Sequence, residues 1–174
     1  YNIQLRAHPS TEADPIAYQT GPVELAANQR VTALAAGLLA SNDAADQFRV
    51  LPLSEDFADP GAGNAIVRIV HASPDAPTVD IDVLNDGTSE ITDLERFEDT
   101  GTAGVALTAG SPLAIGIRSG GMLVTTFTTP ALGAGDEYFV IAAGLLAQAD
   151  PAAADAFKLL VVDQDESIGF IQQD

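Results

Sequence analysis

Apolar and polar residues alternate at period two along most of the chain. In AIVRIVHA (65–72), Ile66, Arg68 and Val70 interleave with Val67, Ile69 and His71. In TVDIDV (78–83), Val79, Ile81 and Val83 alternate with Asp80 and Asp82. β-Branched residues at that period predict strands. The second of these runs into LNDGT, whose Asp86-Gly87 pair predicts a tight hairpin turn. Further strands are expected over GVALTAG (104–110), PLAIGIRS (112–119), MLVTTFT (122–128), EYFVIAAG (137–144) and FKLLVVDQ (157–164). Gly and Pro punctuate them at intervals of roughly 8–12 residues, as in a sandwich or barrel. The helical pattern is weak. It is confined to DPAAADAF (150–157), with Asp150 as N-cap and Pro151 at the first position, and to ASNDAADQF (40–48) as its copy.

The pattern occurs twice. LAAGLLA (34–40) returns as IAAGLLA (141–147), an offset of 107 that also places Leu25 on Leu132 and Val31 on Tyr138. FRVL (48–51) meets FKLL (157–160) after a two-residue insertion, and IQLR (3–6) matches IGIR (115–118). RAHPSTEADP (6–15) only superficially resembles RIVHASPDAP (68–77), because the spacing to the repeated glycine pairs Arg6 with Arg118 and leaves His8 unrelated to His71. The expected architecture is all-β: tandem β-sandwich repeats, with residues 1–60 forming the C-terminal half of a first repeat. Residues 61–174 form a complete second repeat with a short C-terminal tail. A half sandwich exposes apolar faces and strand edges. The gap is therefore expected to be filled by upstream residues or a neighbouring chain, with self-association through the incomplete repeat as one outcome.

Composition narrows this reading. Of 174 residues 47% are hydrophobic, mean hydropathy is +0.16 and Trp is absent, so the core must be aliphatic. Against 25 acidic residues stand only 7 basic ones, a net charge of −18. Nucleic acid is thereby disfavoured as a partner, since phosphate binding needs clustered Lys and Arg, and so is an anionic membrane surface. Lys158 is the sole lysine, which fits either a surface adapted to salty water or ordinary acidic solubility. Without Cys there is no disulfide or thiolate chemistry. The longest apolar stretches, such as VTALAAGLLA (31–40), fall short of the roughly 20 residues of a transmembrane helix.

Candidate chemistry centres on RIVHASPDAP, where His71, Ser73 and Asp75 stand close together. In an extended segment His71 and Ser73 project to one face about 6.5 Å apart, too far for the bond a catalytic triad needs. Pro74 and Pro77 resist the curling that would close the gap, and no nucleophile elbow surrounds Ser73. The structural alternative is a strand end at His71 with a buried or loop-capping hydrogen bond, followed by an Asx-turn at Asp75. No catalytic residue is assigned. Asp75, Asp80 and Asp82 are weak Ca²⁺ candidates, oxygen ligands close in sequence, with a solvated acidic face as the ordinary explanation. NDGTSE (85–90) lacks EF-hand spacing, zinc patterns are absent, and GSPLAIGIRSGG lacks a phosphate-loop lysine, so no cofactor is expected. Arg6 and Arg118 are expected to pair with strand-end carboxylates.

VRIVHASPDAPTVDIDV (67–83) resembles the opening signature of the family known as domain of unknown function 4397, in which a V-R-V-V strand precedes H-A-S-P-D-A-P and V-D-V-x-V. GDEYFVIAAG (135–144) is similar to its later G-x-x-Y-x-V-x-A-x-G pattern, and NQRVTALAAG (28–37) more loosely so. DGTSEITDLERFEDTG (86–101) is longer and more acidic than the family's usual hairpin continuation. The resemblance implies an immunoglobulin- or transthyretin-like sandwich in tandem copies. It also implies an extracytoplasmic location: secreted, periplasmic or lipid-anchored at the cell surface. It implies no catalytic residues. The leading expectation is a non-enzymatic structural or binding module with a cell-surface protein or polysaccharide as partner. The rivals are a Ca²⁺- or carbohydrate-binding module on the acidic edge near Asp75 to Asp82, and an enzyme whose site is built from distant loops.

Overall fold

The computed structural model describes all 174 residues, and the chain divides into two units, Tyr1–Glu55 and Asp56–Asp174. All regular secondary structure is β. The N-terminal unit holds two hairpins. β1 (Gln4–Leu5) pairs with β2 (Tyr18–Gln19), and β3 (Val31–Ala36) pairs with β4 (Arg49–Ser54), both antiparallel.

In the C-terminal unit two sheets share one core, a sandwich-like arrangement. The first contains β5 (Asn64–His71), β8 (Val105–Thr108), β11 (Glu137–Ala143), β12 (Lys158–Asp163) and β13 (Ile168–Ile171), in the order β13-β12-β11-β5-β8. The second contains β6 (Val79–Val83), β7 (Ile91–Leu94), β9 (Ala114–Ser119) and β10 (Met122–Thr128), in the order β10-β9-β6-β7. Val67 and Ile69 of one sheet meet Val79, Ile81 and Ile117 of the other around Phe127, which is wholly buried. The aliphatic composition thus becomes an aliphatic interior.

Every residue from Ala65 to His71 is buried, because β5 is flanked on both sides and covered on both faces. Its partner β11 runs parallel to it, Glu137 opposite Ile66 through Ala142 opposite His71. Such doubly covered parallel strands favour near-continuous apolar runs. The interruption, Arg68, lies on the face away from Val67 and Ile69. Its Nε and a terminal nitrogen reach both Asp99 oxygens at 2.8 and 2.9 Å.

The hairpins β3–β4 and β11–β12 share one register. Val31 stands opposite Ser54 and Ala36 opposite Arg49, while Tyr138 stands opposite Asp163 and Ala143 opposite Lys158. The same turn follows the leading strand of each. The Leu38 amide donates to Asp46 O at 2.8 Å and the Leu145 amide to Asp155 O at 2.7 Å, after glycines that both have φ of +84°. A Cβ at Gly37 would meet Gln47 O at 2.6 Å, and one at Gly144 would meet Ala156 O at 2.2 Å. Both sites therefore exclude a side chain on two grounds, left-handed backbone and contact.

Three sequence expectations are corrected. Residues 150–157 and 40–48 form turns, not helices. Asp150 does accept the Ala152 amide at 3.0 Å, but the bonds that follow, Ala153 N to Asp150 O and Ala156 N to Ala153 O, span three residues and never propagate. The stretch after Asp86-Gly87 contains β7, and the tail contains β13, neither of which was expected as a strand. The pairing of Arg6 with Arg118 is displaced by two positions. Thr20 bonds Ile3 through its amide and hydroxyl just as Thr129 bonds Leu113, which makes Leu5 equivalent to Ile115 and Arg6 equivalent to Gly116.

Gly144→Ala should lower the unfolding free energy of the C-terminal unit by roughly 2–4 kcal/mol, combining the left-handed backbone penalty with displacement of the 155–156 carbonyls. Gly63→Ala, also at positive φ but facing open space, should cost only about 1 kcal/mol. Urea denaturation followed by circular dichroism measures the difference, and equal losses would contradict the contact.

Candidate functional site

The segment 71–77 leaves the end of β5 beside the turn that follows β11, because parallel strands exit their sheet at the same edge. Ser73, fully buried, donates its hydroxyl to Gly144 O at 2.7 Å, with Asp75 Oδ1 a second neighbour at 3.1 Å. Asp75 Oδ1 accepts the Leu146 amide at 2.8 Å and Oδ2 accepts the Ala147 amide at 2.9 Å. The Ala72 amide meanwhile donates to Ala142 O at 2.8 Å. Three hydrogen bonds thus fasten the loop to the turn, and a fourth holds it to the end of β11. Burial pushes the Asp75 carboxyl upward, but the two amides and Ser73 outweigh it and hold the group below its ordinary value.

His71 and Ser73 do not bond each other, as the extended geometry requires. The imidazole is 1% exposed, and its Nε2 lies 2.9 Å from Pro77 O. A carbonyl can only accept, so the proton sits on Nε2 and leaves Nδ1 as a bare lone pair with no partner. The expected Asx-turn at Asp75 is not formed: the residue two positions on is Pro77, which has no amide to donate. The carboxylate turns instead to amides 71 and 72 residues away.

The three acidic candidates do not converge. Asp75 is engaged with the 146–147 amides. Asp80 Oδ1 accepts the Asp93 amide at 2.9 Å. Asp82 is fully buried; it accepts the Asp86 and Gly87 amides at 2.9 Å each and pairs with Arg118 Nε at 2.9 Å. No three His, Asp or Glu side chains stand together with ligating geometry. The solvated acidic face expected here is therefore corrected at Asp82, whose outward direction is roofed by the backbone of residues 84–87. Burial raises its carboxyl pKa, yet the Arg118 guanidinium and the two amides prevail and hold it below the ordinary range. Arg118 does pair with a carboxylate, whereas Arg6 bonds the carbonyls of Asp14 and Glu12 and the Gln4 side chain.

Sequence reasoning missed the Arg68–Asp99 pair, 31 residues apart, although an arginine inside an otherwise apolar strand was the available signal. The interior between the sheets encloses an apolar cavity of about 50 Å³ whose wall includes His71, Val67, Ile69 and Phe157. It presents aliphatic and aromatic surface and no convergent polar groups.

Burial presses the His71 imidazole below its ordinary 6.5; the Pro77 bond opposes this and the Arg96 charge adds to it. The unfolded chain then binds the proton more readily than the folded one. Stability is full above pH 6.5 and declines as pH falls through the lowered value. Asp75, Asp82 and Asp99, all held below 3.8, contribute stability present above pH 3.8 and lost as pH falls further. Urea midpoints taken from pH 8 to pH 3 should show two stages. His71→Gln should abolish the upper stage, and an unchanged profile in that variant would reject the assignment.

The family model that describes a domain of unknown function (DUF4397) matches residues 1–82. The matched span takes in β5, the 71–77 clamp loop and β6 as far as Asp82, while the turn that the clamp grips lies outside it. No curated protein matches the chain. Residues 1–82, just under half of the chain, are thus similar to the DUF4397 family, a domain whose function is unknown.

Proposed function

We propose that the chain is a non-enzymatic extracytoplasmic module, built from copies of one immunoglobulin- or transthyretin-like β-sandwich unit and acting in structure or binding at the cell surface. One observation carries the reading: the reactive side chains of the 71–77 segment are all used to hold the fold. Ser73 and Asp75 grip the 144–147 turn, and His71 is buried against Pro77. A nucleophile needs an exposed, activated oxygen with a base beside it, and Ser73 is fully buried with a backbone carbonyl as its closest partner.

Duplication is supported by the matched hairpin registers, by the twin glycines and by their aromatic partners. Tyr18 lies edge-on to Phe48 at 4.8 Å, and Phe127 is tilted against Phe157 at 5.8 Å, at positions that the registers make equivalent. Export to saline or extracellular surroundings is consistent with the net charge of −18 and the single lysine.

On this reading Ser73→Ala and Asp75→Ala each lower the melting temperature, with a cost of about 1–2 kcal/mol for the hydrogen bonds lost at buried Ser73 and at the more exposed Asp75. Millimolar Ca²⁺ and soluble polysaccharides should leave the wild-type melting temperature unmoved unless they bind the folded state. A Ca²⁺-dependent rise lost in Asp80→Asn would favour the metal-binding rival. Turnover of an ester or glycoside substrate lost in Ser73→Ala, with the fold retained, would overturn the non-enzymatic reading.

A further inference from the structure

Between β7 and β8 the chain crosses from one sheet of the C-terminal unit to the other. β7 lies at the edge of the second sheet, beside β6. β8 pairs with Asn64 to Val67 of β5, and residues 97–100 take up the next stretch of the same edge. There the His71 amide donates to Glu98 O at 2.9 Å, the Phe97 amide to His71 O at 2.7 Å and the Thr100 amide to Ile69 O at 3.0 Å. Residues 95–98 thus form a strap across the end of the sandwich. Arg96 ties it to the clamp loop, with a terminal nitrogen 3.3 Å from Ala76 O. The strap carries backbone strain: Phe97 has φ of +67°, and Asp93 in the strand before it has φ of +57°. Side chains hold that left-handed conformation where their surroundings enforce it.

His71 lies behind this strap. Its imidazole shares the wall of the apolar cavity of about 50 Å³ with Val67, Ile69, Val79, Leu94 and Ala142. Nε2 is used on Pro77 O, and Nδ1 is buried with no partner. An imidazolium carries two donors, so protonation would place a second N–H, and a charge, where no acceptor stands. The neighbouring charges give no relief. Arg96 is of like sign and disfavours the proton. Asp75 is turned to the 146–147 amides, Asp99 to Arg68 and Asp80 to the Asp93 amide. The side chains of Glu95 and Glu98 face solvent, and β11 sets Ala142 opposite the histidine. A protonated His71 therefore reaches water by displacing an element that covers it. The strap is the least costly to displace, because its release breaks a few edge bonds and relieves Phe97, whereas unfolding the sheets exposes the whole core.

We propose that residues 95–98 are an acid-released strap: protonation of His71 opens it locally and uncovers the β5 edge while the two sheets stay folded. The device goes beyond the surface-module reading and stands whether or not that reading holds. In the open form the imidazole regains its ordinary pKa of 6.5, while burial holds it lower in the closed form. The open fraction therefore rises by about tenfold per pH unit between those two values. The far end of the strap stays anchored over that range, since the Arg68 guanidinium holds the Asp99 carboxyl below 3.8.

The test is amide hydrogen exchange of the full ¹⁵N-labelled chain at pH 7 and pH 5, in low urea from zero to about 1 M, corrected for intrinsic exchange rates. The His71 and Phe97 amides should exchange independently of urea and lose about tenfold in protection at pH 5. The β6–β9 ladder should exchange more slowly, with the full urea dependence of global unfolding. In His71→Gln the pH step should vanish. If that variant does not fold, Arg96→Gln, which cuts the tie to Ala76, should speed exchange of the same two amides at pH 7 and leave the β6–β9 ladder unmoved. The proposal is overturned if the His71 and Phe97 amides share the urea dependence of the ladder, since the opening would then be global. It is equally overturned if their protection is the same at both pH values, if the step persists in His71→Gln, or if Arg96→Gln changes nothing.

Discussion

A single carboxylate ties together the two strands on which the C-terminal unit depends. β5 and β11 are parallel, so no short turn can join them, and Ser73 and Gly144 stand 71 residues apart in sequence. Closing that separation costs chain entropy, which the pairing must offset. Asp75 contributes at the edge where both strands leave the sheet, taking two successive amides of the 146–147 turn. The choice of residue follows from the acceptors required: a carboxylate offers two, whereas an amide side chain would set an N–H against a backbone N–H. The clamp also opposes register error. A slip of one residue would turn Val67 and Ile69 outward and drive Arg68 into the aliphatic interior.

That last consequence explains why the few basic residues are placed as they are. With 7 Lys and Arg against 25 Asp and Glu, two arginines of the C-terminal unit are committed to ion pairs that are largely buried, Arg68 to Asp99 and Arg118 to Asp82. Buried pairs of this kind add little net stability over apolar replacements, yet stranding one partner is strongly unfavourable. They act as locks. Arg68 fixes which face of β5 looks away from the core, and Asp82 anchors both the 84–87 turn and β9. Each pair makes one strand arrangement acceptable and its neighbours expensive, a service an aliphatic interior with few aromatics cannot provide by shape alone.

The strands β5, β6, β8 to β12 and the paired hairpins were legible because alternation is written locally, two residues at a time. β7 was hidden: ITDL is a short run inside the acidic stretch 86–101, where charge density outweighs four residues of pattern. The helix expected over 150–157 failed because Asp150 bonds its own loop and the three-residue turn bonds that follow never propagate. The two-residue error at Arg6 has a physical origin. A period-two pattern is unchanged by a shift of two, so IQLR fits IGIR and LAIG alike, and only the hydrogen bonds of Thr20 and Thr129 separate them. Likewise Asp82 reads as solvent-facing by alternation, since the local sequence does not announce that residues 84–87 fold back over it. For the His-Ser-Asp cluster, the sequence excluded direct bonding between His71 and Ser73 but did not show where each side chain goes, because apart from Pro77 and the Ser73–Asp75 contact every side-chain partner lies some 70 residues away.

The two similar hairpins separate what is local from what is tertiary. Residues 31–54 and 137–163 adopt the same register, the same bridge after the leading strand and the same glycine φ of +84°, although only the second is paired to a strand like β5. The turn that presents a carbonyl and two adjacent amides is therefore formed by the hairpin's own glycine and backbone bonds. The serine and aspartate meet it already shaped. This division explains the spread of chemistry along the chain: the receptor needs a glycine that admits no Cβ, and the clamp needs two short polar side chains held extended by prolines. It also explains why His71, Ser73 and Asp75 look like an active site in sequence. Catalysis and docking both call for polar groups at fixed spacing on a rigid strand exit, and they differ in whether those groups face a substrate or the backbone of another turn.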